Sequence, residues 1–238
     1  MILPTLRSSL SRRDAQQLVD LLGRHDESLR EGAQARLDEA GIDALLDDPR
    51  LPASLLSDPE IAVRPEVVFY VLVRHALLEG GVEEVAVADY VASMVVAFGQ
   101  GGRAYTVRNG GEVNYRYLVD LVRDLNEAAP REAFLIRTHM GNYALWLTGL
   151  FPDFLQARVR RRGAPPIEYY ENMGRAGYLD ASMSPEASAL GMERHLRSVS
   201  DQFSGVRVAL NRVSDRYLWR SGGNPVNRLL REVSARAP

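Results

Sequence analysis

Cysteine is absent from the 238 residues, and so is lysine. The first absence excludes disulfides, thiolate metal sites and thiol nucleophiles. The second excludes a Schiff-base lysine and the lysine of a phosphate-binding P-loop. It also makes all 29 basic residues arginine. Long apolar runs are missing too. The longest, residues 67–78 and 85–98, carry Arg74 and His75, and Asp89, respectively. Both are shorter than the ~20 residues that a membrane helix needs. The opening segment MILPTLRSSLSRR shows no apolar stretch of the kind a signal peptide carries. A cytoplasmic location and no membrane partner are therefore expected.

What is present is ordinary in amount and uneven in placement. Hydrophobic residues make up 46% and charged residues 25%, the usual balance of a globular chain. The length suffices for one large core. Residues 1–100 hold nine Arg against 17 Asp or Glu, whereas the rest holds 20 Arg against 14 acids, for a net charge of −2. An acidic first part and a basic second part suit two faces that attract each other, within one fold or between copies.

Helical periodicity dominates. Ser11 and Asp14 fit a capping box. Leu18, Leu21, Leu22, His25 and Leu29 then recur at helical spacing, predicting a helix to about residue 39 with a break near Gly32. Ile42, Leu45 and Leu46 form a short second piece, and four prolines between 47 and 65 predict an irregular connection. Residues 65–79 and 82–98 are apolar nearly all round. Their valines suit strands, but each run is longer than most strands, which favours buried helices. Five glycines between 99 and 111 mark a loop, or a hairpin at Asn109-Gly110, and a candidate subdomain boundary. No dinucleotide fingerprint lies there.

Further on, Leu118, Leu121, Val122 and Leu125 mark a helix face, and Pro130 and Pro152 bound a long helix over 131–151. Shorter helices follow at 153–161 and 167–181. A helix capped by Ser184-Pro185 is expected to carry Met192, Leu196, Val199 and Phe203, and another Val206, Leu210, Val213 and Tyr217. A last short helix carries Val226, Leu229 and Leu230. The expected architecture is all-α: a multi-helix globular bundle with a central buried helix near residues 131–151, in a single helical domain over 1–238.

Several constellations could carry chemistry. His25-Asp26 resembles the His-Asp pair of helical metal phosphohydrolases in two residues alone, and no earlier His completes a ligand set. His25 is read instead as a core or interface histidine. In a hairpin of residues 65–79 and 82–98, Arg74 and Asp89 would face each other as a buried pair fixing the register. On the long helix, Arg137, His139 and Asn142 enter apolar surroundings together, as a core network or the polar part of a small-molecule site. Tyr170, Gly174, Gly177 and Tyr178 mark close helix packing, and Glu168 and Glu171 suit a solvated first turn. Arg158, Arg160, Arg161 and Arg162 form the densest charge, suited to an acidic or phosphate-bearing partner. The chain's pI near 6.1 argues against a strongly basic nucleic-acid domain.

No metal ligand set, cofactor motif or nucleophile–base pair can be completed. The leading expectation is a non-catalytic helical protein working through protein–protein contacts, as a homo-oligomer or assembly subunit. The alternatives are a small-molecule-binding protein or enzyme using Arg137, His139 and Asn142, and a nucleic-acid-associated protein using the arginine run.

Overall fold

Ser11 opens the first α-helix, α1 (Arg12–Leu22): its hydroxyl accepts from the Asp14 amide while the Asp14 carboxylate accepts from the Ser11 amide. That reciprocal cap meets two of the donors a helix start leaves unpaired. The chain then turns at Gly23, and the Asp26 side chain caps α2 (Glu27–Ala40). The break therefore falls between Gly23 and Asp26 and not near Gly32, which lies inside α2 with open space around it. His25 sits in this turn and is exposed, so it is not a core histidine, and among the described residues no group of three or more His, Cys, Asp or Glu could hold a metal ion.

This computed structural model describes residues 1–57, 63–99, 103–107, 115 and 117–218. The expected hairpin at Asn109-Gly110, the residue Tyr217 as a packed side chain, and the helix near Val226, Leu229 and Leu230 lie outside what is described, as does part of the candidate boundary at 99–111. Among the described residues there are thirteen α-helices and no strand. After α2 come α3 (Asp43–Leu46), α4 (Leu51–Ser57), α5 (Pro65–Glu79), α6 (Val85–Gly99), α7 (Leu118–Leu125) and α8 (Pro130–Leu150). They are followed by α9 (Pro152–Arg162), α10 (Ile167–Ser182), α11 (Pro185–Ala189), α12 (Glu193–Asp201) and α13 (Phe203–Val213). A π-helical turn, Ser214–Leu218, extends the last helix. The proline-rich connection is thus not wholly irregular, since α4 occupies part of it. The helix expected to run from Ser184 to Phe203 is cut into α11, α12 and the start of α13, with Gly191 in the left-handed conformation between the first two.

The valine-rich runs are helices, α5 and α6, packed as a hairpin through Gly80 and Gly81. Helix α8 lies at the centre: it packs on α10, α13, α7 and α9. Sixteen of its residues, including His139, Asn142 and Trp146, are buried. One connected cluster of buried apolar side chains draws on segments from Leu6 to Val213. No helix among the described residues is long and apolar enough to cross a membrane.

The seam between α8 and α10 is close because it lacks side chains. A methyl group at Gly177 would lie 2.7 Å from the Arg137 carbonyl oxygen, and one at Gly174 2.7 Å from the Ala144 methyl. Neither approach is tolerated by an alanine without movement.

The predicted pair of Arg74 with Asp89 does not form. Arg74 donates from Nε and Nη2 to both carboxylate oxygens of Asp47, each at 2.8 Å, and from Nη1 to the Glu83 carbonyl. Asp89 faces the other way and accepts from the Arg7 amide at 2.8 Å. Leu6 donates its amide to Ser93, one turn along α6. The hairpin is real, but its two charges leave by opposite faces. Arg74 reaches the α3–α4 link, and Asp89 holds the N-terminal segment against α6.

Candidate functional site

The three polar residues singled out on α8 diverge. Asn142 is buried, and its Oδ1 accepts from the hydroxyls of Tyr90 on α6 and Tyr178 on α10, both at 2.8 Å. Burial raises the pKa of both phenols, so they stay protonated and can donate. This is a hydrogen-bonded node linking three helices. Arg137 turns toward α10, with Nε 3.9 Å from the Asp180 carboxylate. His139 points a third way. One ring nitrogen is hydrogen-bonded to the Ala104 carbonyl, whereas buried Nε2 has no hydrogen-bond partner among the described residues. Burial pushes its pKa down to about 4, so the ring is neutral at physiological pH. His139 and Asn142 do line one cavity, with Phe98 and Leu135, but its volume is about 30 Å³. That is room for a water molecule; Arg137 does not line it.

A larger feature starts on the same helix. His139, Tyr143 and Trp146 follow one stripe of α8, at i, i+4 and i+7. His139 and Tyr143 are stacked within 7° of parallel at 6.2 Å, and Tyr143 and Trp146 within 23° at 6.4 Å. Phe98, Phe151 and Tyr105 add edge-on or tilted contacts to this ladder. Tyr105 ends a short 3-10 turn, Arg103–Tyr105, and its carbonyl accepts from the Tyr115 amide at 2.7 Å. Tyr115 in turn donates to Asp124 on α7 at 2.9 Å; burial and that carboxylate push its phenol up to about 12.

Where the ladder meets α9 the surface opens into a cleft of about 510 Å³. Tyr143 and Leu147 of α8 form its floor, and Tyr105 and Tyr117 one side. Phe154, Ala157, Arg158 and Arg161 of α9 form the other. Those four positions are i, i+3, i+4 and i+7, a single helix face. The arginine run is therefore split by the helix: Arg158 and Arg161 face the cleft, while Arg160 is exposed outside it. The side chain of Arg162 is outside the described residues.

Arg158 is the centre of the cleft. Its guanidinium lies over the Tyr117 ring at 5.1 Å and near the Phe154 ring at 5.5 Å. Both distances are in the cation–π range. Among the described lining residues there is no carboxylate. Stacking uses the face of a guanidinium and leaves its in-plane N–H groups free to donate. Burial raises the Tyr143 phenol, with Arg158 opposing the shift, so Tyr143 is neutral and the arginines supply the cleft's charge. The cleft can therefore hold an anion at its edge and an apolar or aromatic body on its floor.

Of these residues the sequence singles out Arg158 and Arg161, within an undivided run, and does not mark Tyr105, Tyr117, Tyr143 or Phe154 as lining residues. The spacing Phe154–Arg158–Arg161 is the available signal. Tyr105 and Tyr117 gave none, because their arrival beside α9 depends on the path of the chain between α6 and α7.

Compared with known proteins, the chain matches no family model, no curated protein and no solved structure.

Proposed function

We propose that this chain is a non-catalytic binding protein whose recognition site is the tyrosine–arginine cleft between α8, α9 and the segment around Tyr105, and that its partner is anionic. The observation that carries this reading is Arg158: a guanidinium held over two rings in a 510 Å³ cleft, with no carboxylate among its described lining residues. Volumes of ~300–1,000 Å³ are those of small-ligand sites. An arginine with no carboxylate among the described residues of its cleft is a charge that an anion would complement. Of the polar residues of α8 first considered for such a role, Asn142 is accounted for by the Tyr90–Asn142–Tyr178 network, while Arg137 and His139 point elsewhere.

A test uses an aromatic anion of simple chemistry, anilinonaphthalene sulfonate. The folded chain should bind it saturably and at one site, and Arg158→Gln should weaken that binding by about tenfold, the loss of one charge-assisted contact. Undiminished binding by the variant removes the cleft as the site.

A second reading is self-association, which Tyr117, Phe154 and Val119 favour. All three are at least half exposed, and Val119 is 61% exposed. Light scattering of the chain beside a Val119→Asp variant decides it: a dimer that the variant dissolves places copies against this surface, and a monomer in both cases excludes it.

A further inference from the structure

We infer a second ligand site, where α8 meets the end of α11, that takes a neutral, unbranched apolar molecule ending in a hydroxyl. Two neighbouring cavities form it. The inner one is the chamber of about 30 Å³ beside His139 and Asn142. The outer one is a groove of about 350 Å³ that runs past Phe134 of α8 and Leu190 at the end of α11. Met1, Val107 and Leu135 line both, so these three side chains form the wall between chamber and groove. All three are half-buried. Methionine is unbranched and adapts its shape readily, and leucine has more than one staggered rotamer. A slender chain can pass where they part.

Each property of the ligand follows from a separate observation. The groove has the volume of a small-ligand site. Its two charged residues, Arg131 and Glu186, are opposite in sign, so it asks for no net charge. The chamber is too small for a ring and has room for one water-sized group. The anchor there is His139. A carbonyl only accepts, so the ring nitrogen bonded to Ala104 carries the proton, and Nε2 keeps a lone pair with no partner among the described residues. The other polar groups of the chamber are engaged: Asn142 Oδ1 accepts from two tyrosine hydroxyls, and Thr138 donates to the Phe134 carbonyl. A group that reaches Nε2 must therefore donate to it. A hydroxyl does so, whereas an ether or an ionised carboxylate has no proton to give. The site shares no lining residue with the cleft beside α9, and neither reading rests on the other.

The experiment is titration of the full chain with n-octanol, octyl methyl ether and octanoate, followed by calorimetry and by the nitrogen-15 resonances of the His139 ring. Octanol should bind saturably at one site and shift Nε2 in the direction of an accepted hydrogen bond. The ether and the carboxylate should each bind about fivefold more weakly or worse, the loss of that one bond. His139→Phe should weaken octanol by about as much and leave the ether unchanged. Leu190→Asp, at a position 50% exposed, should weaken both octanol and the ether by placing a charge in the groove, with the melting temperature of the unmodified chain. Should His139→Phe fail to fold, Leu190→Asp and the Nε2 resonance carry the test. Absence of saturable octanol binding, or an Nε2 resonance unmoved at saturation, overturns the inference. Equal affinity for octanol and its ether removes the hydroxyl anchor and overturns it too. Tightest binding by octanoate overturns it in favour of a cationic site elsewhere. Octanol binding that Leu190→Asp leaves intact places the molecule outside the groove.

Discussion

At the scale of single residues, the buried charges show how far a linear pattern reaches. Arg74 interrupts an apolar helix and must find an anion, and that much was legible in the sequence. Which anion was not legible. The neighbouring helix offered Asp89 at a suitable register, but a helix residue points along one direction only, and Arg74 points away from α6. Asp47 meets it from a segment 27 residues earlier in the chain. The Arg74 side chain is 5% exposed and that of Asp47 45%, so the arginine depends on the pair more than the aspartate does. Asp47→Ala should cost about 1–3 kcal/mol, less than a fully buried pair because water reaches the Asp47 side. Asp89→Asn should cost under about 1 kcal/mol, since the amide oxygen still accepts from the Arg7 amide and a buried charge is removed. Urea midpoints of the two variants check this: a larger loss for Asp89→Asn would mean that the carboxylate's charge, and not its oxygen, holds the N-terminal segment.

At the scale of helices, existence was legible and breaks were less so. Runs with strong apolar periodicity and proline starts, such as α5, α8 and α10, announce themselves through local chemistry. By sequence alone Gly32 marks an interruption, yet the break falls between Gly23 and Asp26. Asp26, whose side chain accepts from the Ser28 and Leu29 amides, was the better signal. The two glycines make opposite predictions. Gly177 sits where α10 touches the α8 backbone, and a methyl there would meet the Arg137 carbonyl oxygen at 2.7 Å. Backbone cannot swing aside as a side chain can, so Gly177→Ala should destabilise by about 1–3 kcal/mol through forced separation of the helices. Gly32 has nothing within 4 Å of a built methyl. There the substitution only restricts the unfolded chain and should stabilise α2 by about 0.5–1 kcal/mol. Thermal melts of both variants read the sign directly. A stabilising Gly177→Ala would show that the α8–α10 seam is looser than its geometry.

For the whole molecule, the groups that titrate abnormally set how stability responds to acid, and they act in separate windows. Asp47 is held below the usual carboxylate range by Arg74, and Asp48 by hydrogen bonds from Arg50 and Arg36 that outweigh its burial. A depressed carboxylate contributes stability above its unfolded pKa of 3.8 and loses it only as pH falls further. Asp89, raised by burial, runs the opposite way and is relieved by acid. None of these depressed carboxylates accounts for a loss that begins near pH 6.5. His139 does. Its folded pKa of about 4 lies below the ordinary histidine value of 6.5, so between those values the unfolded chain takes up a proton that the folded chain refuses. Stability should therefore decline as pH drops through 6.5 and stop declining on this account below 4, by about 3 kcal/mol in all. His139→Phe keeps an aromatic ring beside Phe98 and Tyr143 and removes the titration. The difference in unfolding free energy between pH 7 and pH 4 should shrink by about that amount in the variant, while the carboxylate terms, common to both proteins, cancel. An unchanged difference would mean that His139 takes up its proton in the folded chain too. The unpaired Nε2 would then have a solvent path that its burial, 5% exposed, does not provide.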